Sequence, residues 1–149
     1  KQIKGRFFNM MTQEKVLNNF RSIVEKLNGK SYVAHGTQFE ITDVRFNKED
    51  NDLPLETVNI YVTVDGVEKG IYLDLTLAKK QQEHHQASDD VFGYRLTSLP
   101  SNISSPCITW SESEMEHHTY SIITREFEYL YKETIKDRKV DILEQYGFH

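Results

Sequence analysis

The sequence predicts an α+β domain in which an antiparallel sheet carries helices on one face. Three observations carry this prediction. One is an amphipathic helical stripe near the N-terminus, another a two-residue hairpin signal at Asp65-Gly66, and the third a Ser-x-x-Glu cap that opens a long helical stretch near the C-terminus.

The first helix is capped by Thr12 and runs to about Asn28. Val16, Leu17, Phe20, Ile23, Val24 and Leu27 form one stripe of a 3.6-residue period, wide enough to lie on a sheet, and Gly29 follows as a terminator. Residues 31–46 read as a first strand. Phe39 and Ile41 share one parity, whereas Val44 and Phe46 share the other, so a bulge near Thr42-Asp43 is needed to bring all four to one side. A turn at His35-Gly36 is the alternative, splitting the segment in two. The stretch that follows, "NKEDNDLP", is turn-rich loop.

The hairpin "NIYVTVDGVEKGIYLDLTL" specifies its own register. With Asp65-Gly66 as a type I′ turn, Val64 pairs with Val67, Ile60 faces Ile71 and Val58 faces Leu73, so the aliphatic sets of both arms land on one side. The other side carries Asn59, Tyr61, Thr63, Tyr72 and Asp74. Residues 79–90 are expected to form a polar loop. Val91 to Leu99 follow as a strand, with Phe92, Tyr94 and Leu96 on one side and Arg95 and Thr97 on the other. "PSNISSP" reads as irregular and Cys107 to Trp110 as a short last strand, giving four or five strands in all. Ser111 to Glu114 caps a helix expected to end near Lys136, with Ile123, Phe127 and Leu130 inward; a short final helix, Val140 to Tyr146, is stopped by Gly147. Residues 1–11 are set aside as a tail of leader or appended residues, which leaves 12–149 as one domain.

Bulk properties narrow the function. At 149 residues, with 38% hydrophobic and 28% charged side chains, the composition is that of an ordinary globular domain. A net charge of −5 opposes long-range attraction to nucleic acid or to an anionic membrane. The single cysteine, Cys107, forbids an internal disulfide; with no apolar run of membrane-spanning length and no secretory h-region, the expectation is cytoplasmic. A homo-oligomer is compatible with these features.

Catalytic signatures fail on inspection. Gly29-Lys30-Ser31 follows a helix, whereas a phosphate loop must precede one, and no nucleophile elbow, zinc-protease helix motif or dinucleotide fingerprint occurs. Cys107, flanked by Pro106 and the apolar Ile108 and Trp110, reads as an inert, partly buried thiol. The histidine doublets are the chemical lead. His117 and His118 lie three and four residues after Glu114, a spacing that puts ligands on one helix face, while His84 and Asp89 sit in the polar loop. Such a set suits zinc or another borderline metal and a metal-dependent hydrolase.

The leading expectation is different: a small non-catalytic interaction protein, binding a protein partner through the Asn59, Tyr61, Thr63, Tyr72 and Asp74 face or a sheet edge. Tyrosines offer rigid contact area with a polar tip, and stacking nucleobases on them requires flanking positive charge that an acidic chain does not concentrate. A third reading is a small-ligand carrier with a pocket between sheet and last helix, near Trp110 and Tyr120.

Overall fold

A computed structural model of the chain describes residues 11–47, 55–81, 87–107 and 111–149. In order the elements are β1 (Met11–Thr12), α1 (Gln13–Glu25), β2 (Ser31–Ala34), β3 (Thr37–Asn47), β4 (Leu55–Val64), β5 (Val67–Gln81), β6 (Ala87–Leu99), β7 (Ile103–Cys107) and α2 (Glu112–Gln145). The strands form one antiparallel sheet in the order β1-β6-β5-β4-β3-β2, with β7 pairing on the remainder of the β6 edge that β1 uses.

The α+β class therefore stands, but the sheet is larger than the expected four or five strands. Among the described residues six strands of four residues or more curl around the helices, and the two-residue β1 adds to the edge. Two segments supply the excess. His35 and Gly36 both take positive φ, 51° and 81°, so the expected first strand is a tight hairpin of β2 and β3. The supposedly irregular segment after Asn102 is β7, whose Pro106 is tolerated because β7 lies at an edge. The polar excursion 79–90 is likewise shorter than expected: β5 continues to Gln81 and β6 begins at Ala87.

The central hairpin has the register that turn chemistry dictates. Asp65 and Gly66 sit at φ 52° and 74°, and Val64↔Val67, Ile60↔Ile71 and Val58↔Leu73 are paired. On β3 the register slips between Ile41 and Asp43, leaving Thr42 as the bulged residue, so Phe39 and Ile41 share a face with Val44 and Phe46. A second slip opposite Ala78 and Lys79 was not foreseen. It turns Val91 inward and leaves Phe92 half exposed, which corrects the expectation that Phe92 shares a side with Tyr94 and Leu96.

Both helices pack on the aliphatic face. Phe127 of α2 stacks on Tyr32 and meets Phe39 edge-on. Val16, Phe20, Ile23 and Val24 of α1 complete the core, and Tyr120 of α2 donates to the Ile23 carbonyl at 2.7 Å. The cap residues behave as their chemistry predicts: Thr12 Oγ1 accepts from Lys15 N and Ser111 Oγ accepts from Glu114 N. The expected break between a long helix and a short final one does not exist. The charged run through Lys139 contains no breaker, so α2 continues to Gln145 and closes through Gly147 N to Glu144 O and Phe148 N to Leu143 O. Neither described helix is long and apolar enough to cross a membrane.

Two ionic clamps orient the helices. Arg21 of α1 donates two hydrogen bonds, 2.9 and 2.8 Å, to Glu56, which shares the aliphatic face of β4 and is 4% exposed. Arg138 of α2 makes a similar fork onto Asp65 at the hairpin tip, 2.8 and 3.0 Å, and also donates to Thr37. The Arg138 hydrogen bonds hold the Asp65 carboxyl below its usual pKa. The Arg21 clamp is the more consequential because its acid is buried. Arg21→Ala strands that carboxylate and is expected to destabilise the fold by about 2 kcal/mol in urea unfolding, whereas Arg45→Ala, on an exposed pair, is expected to cost clearly less.

Candidate functional site

Because side chains alternate along a strand, committing one sheet face to the helices leaves the other without a helical cover. The register puts Asp43 beside Tyr61, Arg45 beside Asn59, Tyr61 beside Gly70, Asn59 beside Tyr72, Thr63 beside Glu68 and Thr57 beside Asp74. Asn59, Tyr61, Thr63, Tyr72 and Asp74 are all half-buried on this face, as the hairpin pattern implies.

Several neighbours of these residues were not evident in the sequence. The Arg45 guanidinium lies over the Tyr61 ring, 5.3 Å from its centroid, and its Nε donates to Asp43 at 2.7 Å. Asp43 is in turn held below its usual pKa, first by that hydrogen bond. The bulge at Thr42 makes this cluster: it turns Asp43 and Arg45 to the tyrosine side, and Thr42 Oγ1 donates to the Tyr61 carbonyl. Across β5, Leu99 pairs with Tyr72 and is 47% exposed. Further along, Thr76, Ala78, Phe92, Gly93, Arg95 and Pro106 line a cleft of about 340 Å³. Arg95 Nη1 donates to Ser104 at 3.0 Å across its rim. The bulge that expels Phe92 is what forms one wall of this cleft, and a strict alternation pattern cannot announce it.

The histidine lead resolves differently. His118 does not point into an open site. Its Nδ1 lies 3.1 Å from the Tyr94 hydroxyl and its Nε2 3.0 Å from Ser105 Oγ, tying α2 to β6 and β7. Tyr94 also hydrogen-bonds Cys107, its cross-strand neighbour. With the proton on Nδ1, the chain runs from the Ser105 hydroxyl to Nε2, from Nδ1–H to the Tyr94 oxygen and from the Tyr94 hydroxyl to the thiol; with it on Nε2, the direction reverses. Burial pushes the Tyr94 pKa well up, and burial, followed by the nearby Arg125 charge, pulls the His118 pKa down.

A hydroxyl on a histidine is half of a nucleophilic arrangement, but here the second ring nitrogen meets a neutral phenol instead of a carboxylate. His117 is exposed on a different side of the helix, and Glu114 is exposed in the first turn. Among the described residues no group of three or more His, Cys, Asp and Glu side chains comes together to hold a metal. His84, the side chain of Asp89 and Trp110 lie outside the described residues, so the loop contribution and the pocket beside Trp110 are not part of this geometry. Tyr120, the other marker of that pocket, is engaged between the helices through its bond to Ile23.

A further acid escaped sequence reading. Glu126, in mid-helix, is fully buried and accepts hydrogen bonds from Ser98 Oγ at 3.2 Å and from Ser101 N at 3.0 and 3.1 Å, with a short bond from Ser101 Oγ. Desolvation raises its pKa, against the hydrogen bonds from Ser101 and Ser98. It fastens the β6–β7 connection to α2. Its signal, an acid in a helix's inward stripe, is visible only once the angular position of that stripe is known.

No protein-family model matches the chain, and no curated protein or solved structure matches it.

The pKa of His118 gives a pH signature with a definite sign. Its folded value lies below the ordinary 6.5, so the unfolded chain takes up a proton first and stability falls as pH drops through about 6.5. Glu126, with a raised folded value, acts oppositely at lower pH. His118→Gln keeps one donor and one acceptor and removes the titration. The stability gap between wild type and this variant is expected to be constant above about pH 7 and to shift in the variant's favour below it, read by urea unfolding at a series of pH values.

Proposed function

We propose that the chain is a small non-catalytic interaction protein that binds a protein partner through the face carrying Asn59, Tyr61, Thr63, Tyr72 and Asp74. The observation that supports this reading is the asymmetry of the sheet. Both helices pack on one face, and the other displays two tyrosines, an exposed Leu99 and the Phe92 cleft in a row. Aromatic and aliphatic groups set among hydrogen-bonding side chains are the composition of a protein-binding centre. Arg45 holds Tyr61 in place before any partner arrives, which lowers the entropy lost on binding. The cleft beyond Thr76 takes an apolar anchor side chain, with Arg95 at its rim to meet an acid.

The charges on this face favour protein over nucleic acid. Among the described residues Glu40, Asp43, Glu68 and Asp74 outnumber Arg45 and Arg95 there, and base stacking on the tyrosines would have to overcome that field. The lone thiol of Cys107 supports a reducing, cytoplasmic setting. A symmetric contact between two copies of the face is the homo-oligomeric form of the same reading.

Tyr61→Ser with Tyr72→Ser leaves the aliphatic face untouched, so the circular dichroism spectrum is expected to match wild type. Partner capture from an extract of the native host is expected to fall by at least about 30-fold, the equivalent of about 2 kcal/mol. The same proteins captured at the same level by the doubly substituted chain would move the interface away from this face.

A further inference from the structure

The outer side of α2 carries a feature that neither the core nor the tyrosine face explains. Arg125, Tyr129, Lys132, Lys136, Lys139, Leu143 and Tyr146 follow one another at alternating steps of four and three residues, and every one is exposed. At 1.5 Å per residue they form a single ridge about 32 Å long. Among the described residues no ion pair or hydrogen bond engages Arg125, Lys132, Lys136 or Lys139. Of the acids that border the ridge, Glu128 is already bonded to His35 Nε2 at 2.8 Å and Asp137 lies 4.0 Å from Lys69, while Glu133 and Glu144 stand on the opposite flank from Glu128.

Lys132 and Lys136 are four residues apart and Lys136 and Lys139 three, so like charges stack along the ridge. That arrangement weakens a helix and contributes nothing to its packing. The ridge ends in apolar groups. No described side chain after Arg138 is buried; Leu143 is 53% exposed and Tyr146 78%, and Ile142 and Phe148 stand exposed beside them. Cations along a helix with an uncovered aliphatic and aromatic end are the two signals that surface association with a bilayer requires.

We propose that this ridge seats α2 on an anionic membrane surface, with the lysines against lipid headgroups and Ile142, Leu143, Tyr146 and Phe148 entering the headgroup–acyl boundary. Charge complementarity commits the occupant to an anionic surface, and the apolar end selects a bilayer over nucleic acid, whose backbone offers no place for aliphatic side chains. The net charge of −5 opposes this only at a distance. Within a Debye length of about 8 Å the local ridge dominates the interaction. Because α2 lies on the opposite side of the sheet from Tyr61 and Tyr72, a bilayer bound at the ridge leaves the tyrosine face free.

The test is co-sedimentation of the purified chain with vesicles of phosphatidylcholine alone and of phosphatidylcholine mixed with phosphatidylserine, at low and high salt. Partition onto the serine-containing vesicles alone, falling steeply with salt, is the expected result. Lys132→Glu, Lys136→Glu and Lys139→Glu together, at exposed positions, are expected to reduce it by at least roughly 100-fold, at about five-fold per charge. Leu143→Ser with Tyr146→Ser is expected to weaken it by roughly ten-fold while the salt dependence persists. The Tyr61→Ser, Tyr72→Ser chain is expected to sediment as wild type, so this proposal and the protein-partner reading fail separately. Absence of partition at low salt, or equal partition of the triply reversed chain, overturns the proposal. Capture of duplex DNA or of an acidic helical peptide without capture of vesicles overturns it as well.

Discussion

A strand paired without a bulge alternates its side chains strictly between two faces, and one two-residue turn applies that constraint to the centre of this molecule. With Asp65 and Gly66 both at positive φ, β4 and β5 have a single register, and the aliphatic residues of the two arms must face the same way. The helices have only that face to cover. The tyrosine face follows as the remainder, without any interaction of its own having to specify it. Arg138 strengthens the arrangement by clasping Asp65, so the residue that sets the strand register also fixes where α2 lies across the sheet.

Whatever obeyed a fixed period was legible in the sequence. The α1 stripe, the Thr12 and Ser111 caps, the hairpin register and the residues of its second face follow from spacing alone, and the slip near Thr42 showed as a conflict of parity between Ile41 and Val44. What was not legible lacked a local signature. The slip opposite Ala78 replaces one apolar residue by another, Val91 for Phe92, so both alignments look equally hydrophobic until a partner strand selects one. The continuity of α2 through residues 136–139 was obscured because a charged run resembles a loop in composition, although none of its residues breaks a helix. Glu114, His117 and His118 were rightly placed at the start of that helix, but spacing cannot say that His118 turns to Tyr94 and Ser105 while His117 turns to water.

The buried polar groups form a second layer of specification above the apolar pattern. Glu56 sits among valines on β4, Glu126 in the inward stripe of α2, and His118 between α2 and β7. An apolar stripe lets a helix slide or rotate by a residue at modest cost, whereas each of these groups has partners at one position only. Arg21 reaches Glu56, Ser98 and Ser101 reach Glu126, and Tyr94 and Ser105 reach His118. Sliding either helix by one turn leaves a buried acid or imidazole without its donor. The aliphatic face thus decides that helices pack, and these polar contacts decide where.

Net charge is a poor guide to the surfaces that result, because folding sorts charge that the sequence interleaves. Along the chain the lysines of α2 alternate with Glu128, Glu133 and Asp137, and the sum over the whole is acidic. At 100° per residue the helix separates them: Arg125, Lys132, Lys136 and Lys139 align on the outer ridge, while Asp137 lies within 4.0 Å of Lys69 on β5. On the far side of the sheet Glu40, Asp43, Glu68 and Asp74 collect about the tyrosines. The molecule therefore sets a ridge of cations on the outer side of α2 and an acidic aromatic face across the sheet from it. Under the membrane docking proposed above, that distribution places the ridge toward the anionic surface and the tyrosines away from it. Because the ridge acts within about a Debye length of the surface, added salt weakens the attraction.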